Sequence, residues 1–161
     1  MANPMFVPDA QQIESAQQLE AMVKRPKKRK SRSVGPSKWD KAVASAGERR
    51  ASGEWEGAEP IEFVALYAAL HEHVYGVVPG ELTSSGRFQA TMMATRLLRD
   101  EFAGDASALA EMIRWTWARE RKNEQWRRQN KQQGKRIGPG FQFSGASITN
   151  WKLGVAREQG K

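Results

Sequence analysis

The chain has 161 residues, with 26 Lys and Arg against 18 Asp and Glu and no cysteine, which suits one compact domain with tails that buries its core without staples. The missing cysteines exclude disulfide frameworks, thiolate metal sites and cysteine nucleophiles together. No apolar run reaches the length of about 18 residues that a membrane span needs, and the opening MANPMFVPDAQQ lacks the basic-then-apolar order of a secretion signal, so a soluble, non-exported protein is expected.

The net charge of +8 is unevenly spread. Residues 1–58 hold 11 basic and 7 acidic groups, residues 59–118 hold 4 and 8, and residues 119–161 hold 11 and 3. An acidic middle between basic flanks suggests edges that meet a polyanion. Nucleic acid is the commonest such partner, with an anionic membrane or an acidic protein surface as competitors.

In chain order, Asp9 after Pro8 is a good N-cap and predicts a short helix over residues 9–25, whose apolar positions Ile13, Ala16, Leu19, Met22 and Val23 form a narrow stripe. Such a helix is marginal alone and needs this chain, a second copy or a partner to dock on. The next segment, KRPKKRKSRSVGPS, carries Lys24, Arg25, Lys27, Lys28, Arg29, Lys30 and Arg32 in its first nine residues. It has no apolar area to bury, so it is expected to be disordered when free, either a phosphate-binding arm or a solubilising linker. In a eukaryotic cell PKKRK would also read as a nuclear import signal. Ser37 and Asp40 have capping-box spacing and predict a short helix to about Ala46. The stretch GERRASGEWEG at 47–57 reads as a loop, with Trp39 and Trp55 as lids on the core or as partner contacts.

The compact domain is expected over 59–158, with 1–58 as helix, arm and linker. Pro60 at a first helical turn and Gly76 at a stop bracket IEFVALYAALHEHVY, apolar on two stripes: Ile61, Val64, Ala68 and Tyr75, and Phe63, Leu66, Leu70 and Val74. That pattern predicts the central helix. A helix from Ser84 or Ser85 through Phe102 should turn Phe88, Met92, Thr95 and Phe102 inward, with Leu98 at the edge and Gly104 as its end. Asp105 then caps a helix to Arg128 whose core face is Ala106, Leu109, Ala110, Ile113 and Trp117. About half a turn away, Trp115, Arg119, Lys122 and Trp126 repeat the spacing, either as an exposed line of indoles and cations suited to bases and phosphates, or with the tryptophans packed on neighbouring helices. The glycine-rich stretch QNKQQGKRIGPGFQFSG follows as a long loop anchored by Ile137, Phe141 and Phe143. Ser144 or Ser147 should cap a last helix bearing Ile148, Trp151 and Val155. Arg127, Arg128, Lys131, Lys135 and Arg136 then make a second polycationic surface.

Catalytic chemistry is hard to assemble from these residues. His71 and His73 diverge by about 200° on one helix and cannot share a metal, so His71 reads as a core histidine with a satisfied partner. Asp100, Glu101 and Asp105 fall at helix ends, GVVPGELTSSG lacks the lysine of a phosphate loop, and GPGF is a turn. No enzyme activity, no cofactor and no metal are expected.

Four pieces, YAALHEHVYGVVPGE, RLLRDEFAGD, ALAEMIRWTW and FQFSGASITNWKL, give residues 63–153 a resemblance to the C-terminal helical module of bacteriophage replication-initiation proteins of the DnaD-like replisome-organiser type. The resemblance implies an all-α protein of the host cytoplasm that handles DNA during replication or regulates transcription. Such initiators carry a winged-helix domain ahead of the module, whereas here an arm and a short helix stand there, so origin recognition by this chain alone is not expected. The combined expectation is a small helical domain of about four main helices that binds DNA without strong sequence discrimination. Its contacts would be Lys24 to Arg32 and the Arg119 to Arg136 surface, with a replication or transcription protein as a further partner. The alternatives are an adaptor that grips a polymerase or other enzyme, and a virion component contacting packaged DNA.

Overall fold

The Ser37 hydroxyl accepts the Asp40 N–H at 3.2 Å while the Asp40 carboxylate accepts the Ser37 N–H at 3.0 Å, the reciprocal pair that starts helix α1 (Lys38–Ser52). The computed structural model describes residues 35–160, so the helix expected over 9–25 and the arm from Lys24 to Arg32 lie outside the described residues. Helix α1 does not stop near Ala46 but continues through Gly47, correcting the loop expected from there. The penalty for a mid-helix glycine is about 1 kcal/mol, and two features offset it. Ala42 and Ala46 are buried, and Gly53 closes the helix in the left-handed region at φ 81° with its N–H on the Arg49 carbonyl at 2.8 Å. The Arg49 guanidinium then holds the following turn through the Glu54 and Glu56 carbonyls at 3.3 and 2.9 Å.

Helix α2 (Pro60–Tyr75) begins with proline where no N–H is lost and ends on Gly76 at φ 74°. Ten of its sixteen residues are buried, the expected condition of a helix apolar on most sides, and all but the last of the other helices pack against it. Trp55 stacks on Phe63 at 5.5 Å and is only 2% exposed, so it belongs to the core rather than covering it. Trp39 is the lid, half-buried beneath the Arg87 guanidinium at 4.5 Å from its ring centre.

Helix α3 (Ser84–Asp100) starts at Thr83, whose hydroxyl accepts the Gly86 N–H at 3.3 Å. Its inward face is Ala90, Ala94 and Leu97, not the expected row. Phe88 and Met92 are 68% and 42% exposed, Thr95 and Leu98 are half-buried, and Phe102 is buried only after the helix has ended. Small alanines let α3 approach α2 closely, which turns the bulky neighbours outward. Ala103 and Gly104, at φ 49° and 83°, then fold the chain back so that Phe102 meets Trp151 at 5.8 Å.

Asp105 caps helix α4 (Ala106–Gln129) by accepting the Ala108 N–H at 2.9 Å, and all five expected core residues are buried. A short helix, α5 (Pro139–Gln142), interrupts what was expected to be loop, and α6 (Gly145–Gln159) closes the core with Ile148 buried and Trp151 and Val155 half-buried. The fold is all-α, with no strand among the described residues. A compact unit begins at Pro36 and so takes in α1 as well as the helices that follow Glu59.

One buried carboxylate ties α1 to α2. Glu62 accepts the Ser45 hydroxyl, the Glu59 N–H and, at 3.0 Å, the Arg49 Nε. Burial opposes its ionisation, but the bonds from Ser45, Glu59 and Arg49 outweigh that and hold the carboxyl below the usual range. A carboxyl with a folded-state pKa below its unfolded value of about 4.3 stabilises the fold above that pH and loses the contribution as pH falls through the folded value. Urea unfolding should therefore show stability declining below about pH 5, with Glu62→Gln weaker by about 1–2 kcal/mol at neutral pH and shallower on the acid limb. An identical acid limb in that variant would contradict the assignment.

Candidate nucleic-acid interface

The core stripe of α4 does not end at Trp117. Ile113, Trp117, Glu120, Glu124 and Arg127 continue it at i, i+4, i+7, i+11 and i+14, so two carboxylates and a guanidinium are carried towards the interior. Glu120 is buried and accepts both the Tyr75 hydroxyl, at 2.9 Å, and the Arg127 guanidinium. Arg127 also donates to Glu124 at 2.9 and 3.1 Å, and its stem passes beneath Gly134, where a Cβ would have no room. Arg127 is therefore not a free cation, contrary to expectation. Arg128 remains largely exposed but donates to Glu124 at 3.1 Å and to the Val74 carbonyl at 3.0 Å, satisfying an otherwise open C-terminal carbonyl of α2. Partial burial opposes ionisation of Glu124, yet Arg127 and Arg128 hold its carboxyl below the ordinary range.

Two tyrosines of α2 pin the segment beyond α4. The Tyr75 oxygen accepts the Ile137 N–H at 3.0 Å, and the Tyr67 hydroxyl donates to the Ile137 carbonyl at 3.0 Å. Both backbone groups of one loop residue are thus taken by side chains more than sixty positions earlier. Burial pushes both phenols above their ordinary range, with Glu120 adding to the effect at Tyr75, so both act as neutral hydroxyls.

With those carboxylates engaged, the outward cations stand uncompensated. Arg114, Arg119, Arg121, Lys122, Lys131, Lys135 and Arg136 are exposed and form no ion pair among the described residues. Arg114, Arg121 and Arg128 fall at i, i+7 and i+14, one row along α4 whose spacing is visible in the sequence and which the expected line of Arg119 and Lys122 does not include. Arg114 and Arg121 border a groove of about 630 Å³ with Arg50 of α1 and His73 of α2, floored by Leu70, Val74 and Trp117, with Glu111 as its one carboxylate. Arg136 lies over the Tyr75 ring at 5.7 Å. Of the expected line of indoles and cations, Arg119, Lys122 and Trp126 are exposed, Trp126 by 55%. Trp115 is half-buried, because its ring rests on Gly154 of α6 where no side chain would fit, and Arg119 covers it at 5.6 Å. Lys24, Arg25, Lys27, Lys28, Arg29, Lys30 and Arg32 lie outside the described residues.

His71 is buried and its Nδ1–H donates to the Val77 carbonyl at 2.8 Å, the satisfied core histidine expected, while His73 points outward into the groove. Among the described residues no three His, Asp or Glu side chains are grouped to hold a metal, and no helix is long and apolar enough to cross a membrane. Removing the Tyr75 hydroxyl tests the pinned segment. Tyr75→Phe should reduce stability by about 1–2 kcal/mol and speed hydrogen exchange at the Ile137 amide; unchanged exchange there would show that the tyrosine does not hold the loop. Set against protein-family models, curated proteins and solved structures, the chain matches none of them.

Proposed function

We propose that the protein is a non-catalytic DNA-binding factor that grips phosphates along α4 and the following loop, without strong sequence discrimination. The observation that carries this reading is the row of exposed arginines and lysines from Arg114 to Arg136, left without carboxylate partners because Glu120 and Glu124 are spent on Arg127 and Arg128. At about 1.5 Å of rise per residue, Arg114 to Lys122 spans about 12 Å, which matches about three to four phosphates of one strand at about 3.4 Å each, and Lys131, Lys135 and Arg136 add further cations on the following loop. Arginine and lysine on a rigid helix meet phosphates without reading bases, so positioning rather than sequence choice is the chemistry on offer. The resemblance to replisome-organiser modules supports an accessory or regulatory role in the replication or transcription of a phage or mobile element. The cationic segment from Lys24 to Arg32 would add further phosphate contacts.

A second reading, an adaptor for a replication or transcription protein, is favoured by one feature: Phe88 and Met92 lie one turn apart on α3 and are both exposed. In that case Phe88→Asp should abolish partner capture while DNA retention persists.

Titrating a labelled duplex at several salt concentrations tests the first reading. Neutralising 6–10 phosphates predicts a fall of about 10³–10⁵ in affinity between about 50 and 200 mM salt, and a flat profile would reject it. The double variant Arg114→Ala with Arg121→Ala should lower the slope of log K against log salt by about 2, equally for unrelated sequences.

A further inference from the structure

On the other side of α4 from the arginine groove, a cleft of about 310 Å³ opens between α4 and α6. Arg119 and Asn123 line it from α4, and Asn150 and Arg157 from α6. All four are exposed and neither arginine forms an ion pair among the described residues. Ser147 also lines it, is 1% exposed, and its hydroxyl has no hydrogen-bond partner among the described residues. A donor and acceptor withdrawn from water and left unmet is a cost the fold does not recover by itself, and a ligand edge reaching it would remove that cost. Phe141 stands beside the cleft with 41% of its surface exposed. Glu120 borders it as well, but its Oε1 is already taken by Tyr75 and Arg127, and its Oε2 accepts the Asn123 carboxamide N–H at 3.5 Å.

We propose that this cleft receives one unstacked nucleobase of a single-stranded segment, so that the protein prefers single-stranded DNA to duplex. The inference rests on the DNA-binding reading and deepens it. A volume near the lower end of ligand pockets suits one planar base better than a stacked pair. The Asn150 carboxamide offers a donor beside an acceptor, the pairing that a base edge presents, and the exposed Phe141 ring offers a stacking face. Arg119 and Arg157 at the rim suit the phosphates on either side of the inserted nucleotide. Arg119 also belongs to the outward cationic surface, which makes the cleft continuous with the proposed path of the backbone.

The test uses the full chain and fluorescence anisotropy with three labelled probes of about 20 nucleotides: oligothymidylate, an abasic strand of the same length, and a duplex. The wild type should hold oligothymidylate about tenfold more tightly than the abasic strand. Asn150→Ala, and separately Leu153→Trp, which places an indole in the cleft from a residue 53% exposed, should each lower the ratio of oligothymidylate to duplex affinity by about tenfold. Thermal melting establishes that both variants remain folded. If the wild type binds duplex with the expected salt dependence but treats oligothymidylate and abasic strand alike, the cleft assignment falls and the DNA-binding reading stands. If folded variants keep the wild-type ratio, the cleft assignment likewise falls. If the wild type binds none of the three probes, both fall together.

Discussion

A buried carboxylate is tolerable only when its charge and lone pairs are met, and Glu120 is met from two directions. Arg127, two turns further along the same helix, supplies the opposite charge, and Tyr75 of the central helix supplies a hydroxyl. Because that hydroxyl also receives the Ile137 N–H, one small network fixes the far half of α4 on α2 and places the loop that follows. Removing a single member would leave a charge or an amide stranded, so the network acts as a unit and its effect on local order exceeds that of any one bond.

The same network sets the electrostatics of the surface. From Arg114 to Gly160 the chain has three carboxylates, and Glu120 and Glu124 are drawn into ion pairs with Arg127 and Arg128, leaving Glu158 as the exposed one without an ion pair among the described residues. Cations on the other faces of α4, on residues 131–136 and on α6 therefore dominate the local field. They fall into two sets separated by the ridge of the helix, a row beside α1 and α2 and a rim beside α6. The first is suited to a passing strand and the second to a group that enters a cleft.

Much of this was legible in the residues. Pro60 with Gly76, Ser37 with Asp40, and Asp105 mark helix ends through local backbone chemistry, and the α4 stripe to Trp117 follows from spacing alone. What escaped has physical reasons. Arg127 lies on the continuing core stripe, but a guanidinium is ordinarily assigned to solvent, and only the presence of Glu120 on the same face argues otherwise. On α3, side-chain size suggested Phe88 and Met92 as the buried face, whereas close helix packing selected Ala90 and Ala94. Trp115 is half-hidden because a glycine thirty-nine positions away admits its ring. The order of the glycine-rich stretch depends on tyrosine hydroxyls distant in sequence, which no local pattern encodes.

The most direct test of the proposed DNA contact is amide chemical-shift mapping of the full chain on addition of a short duplex. The account predicts perturbations concentrated at residues 114–122 and 131–136, with the Phe88 and Met92 face of α3 undisturbed. Shifts confined to that α3 face, or spread evenly over the surface, would contradict it.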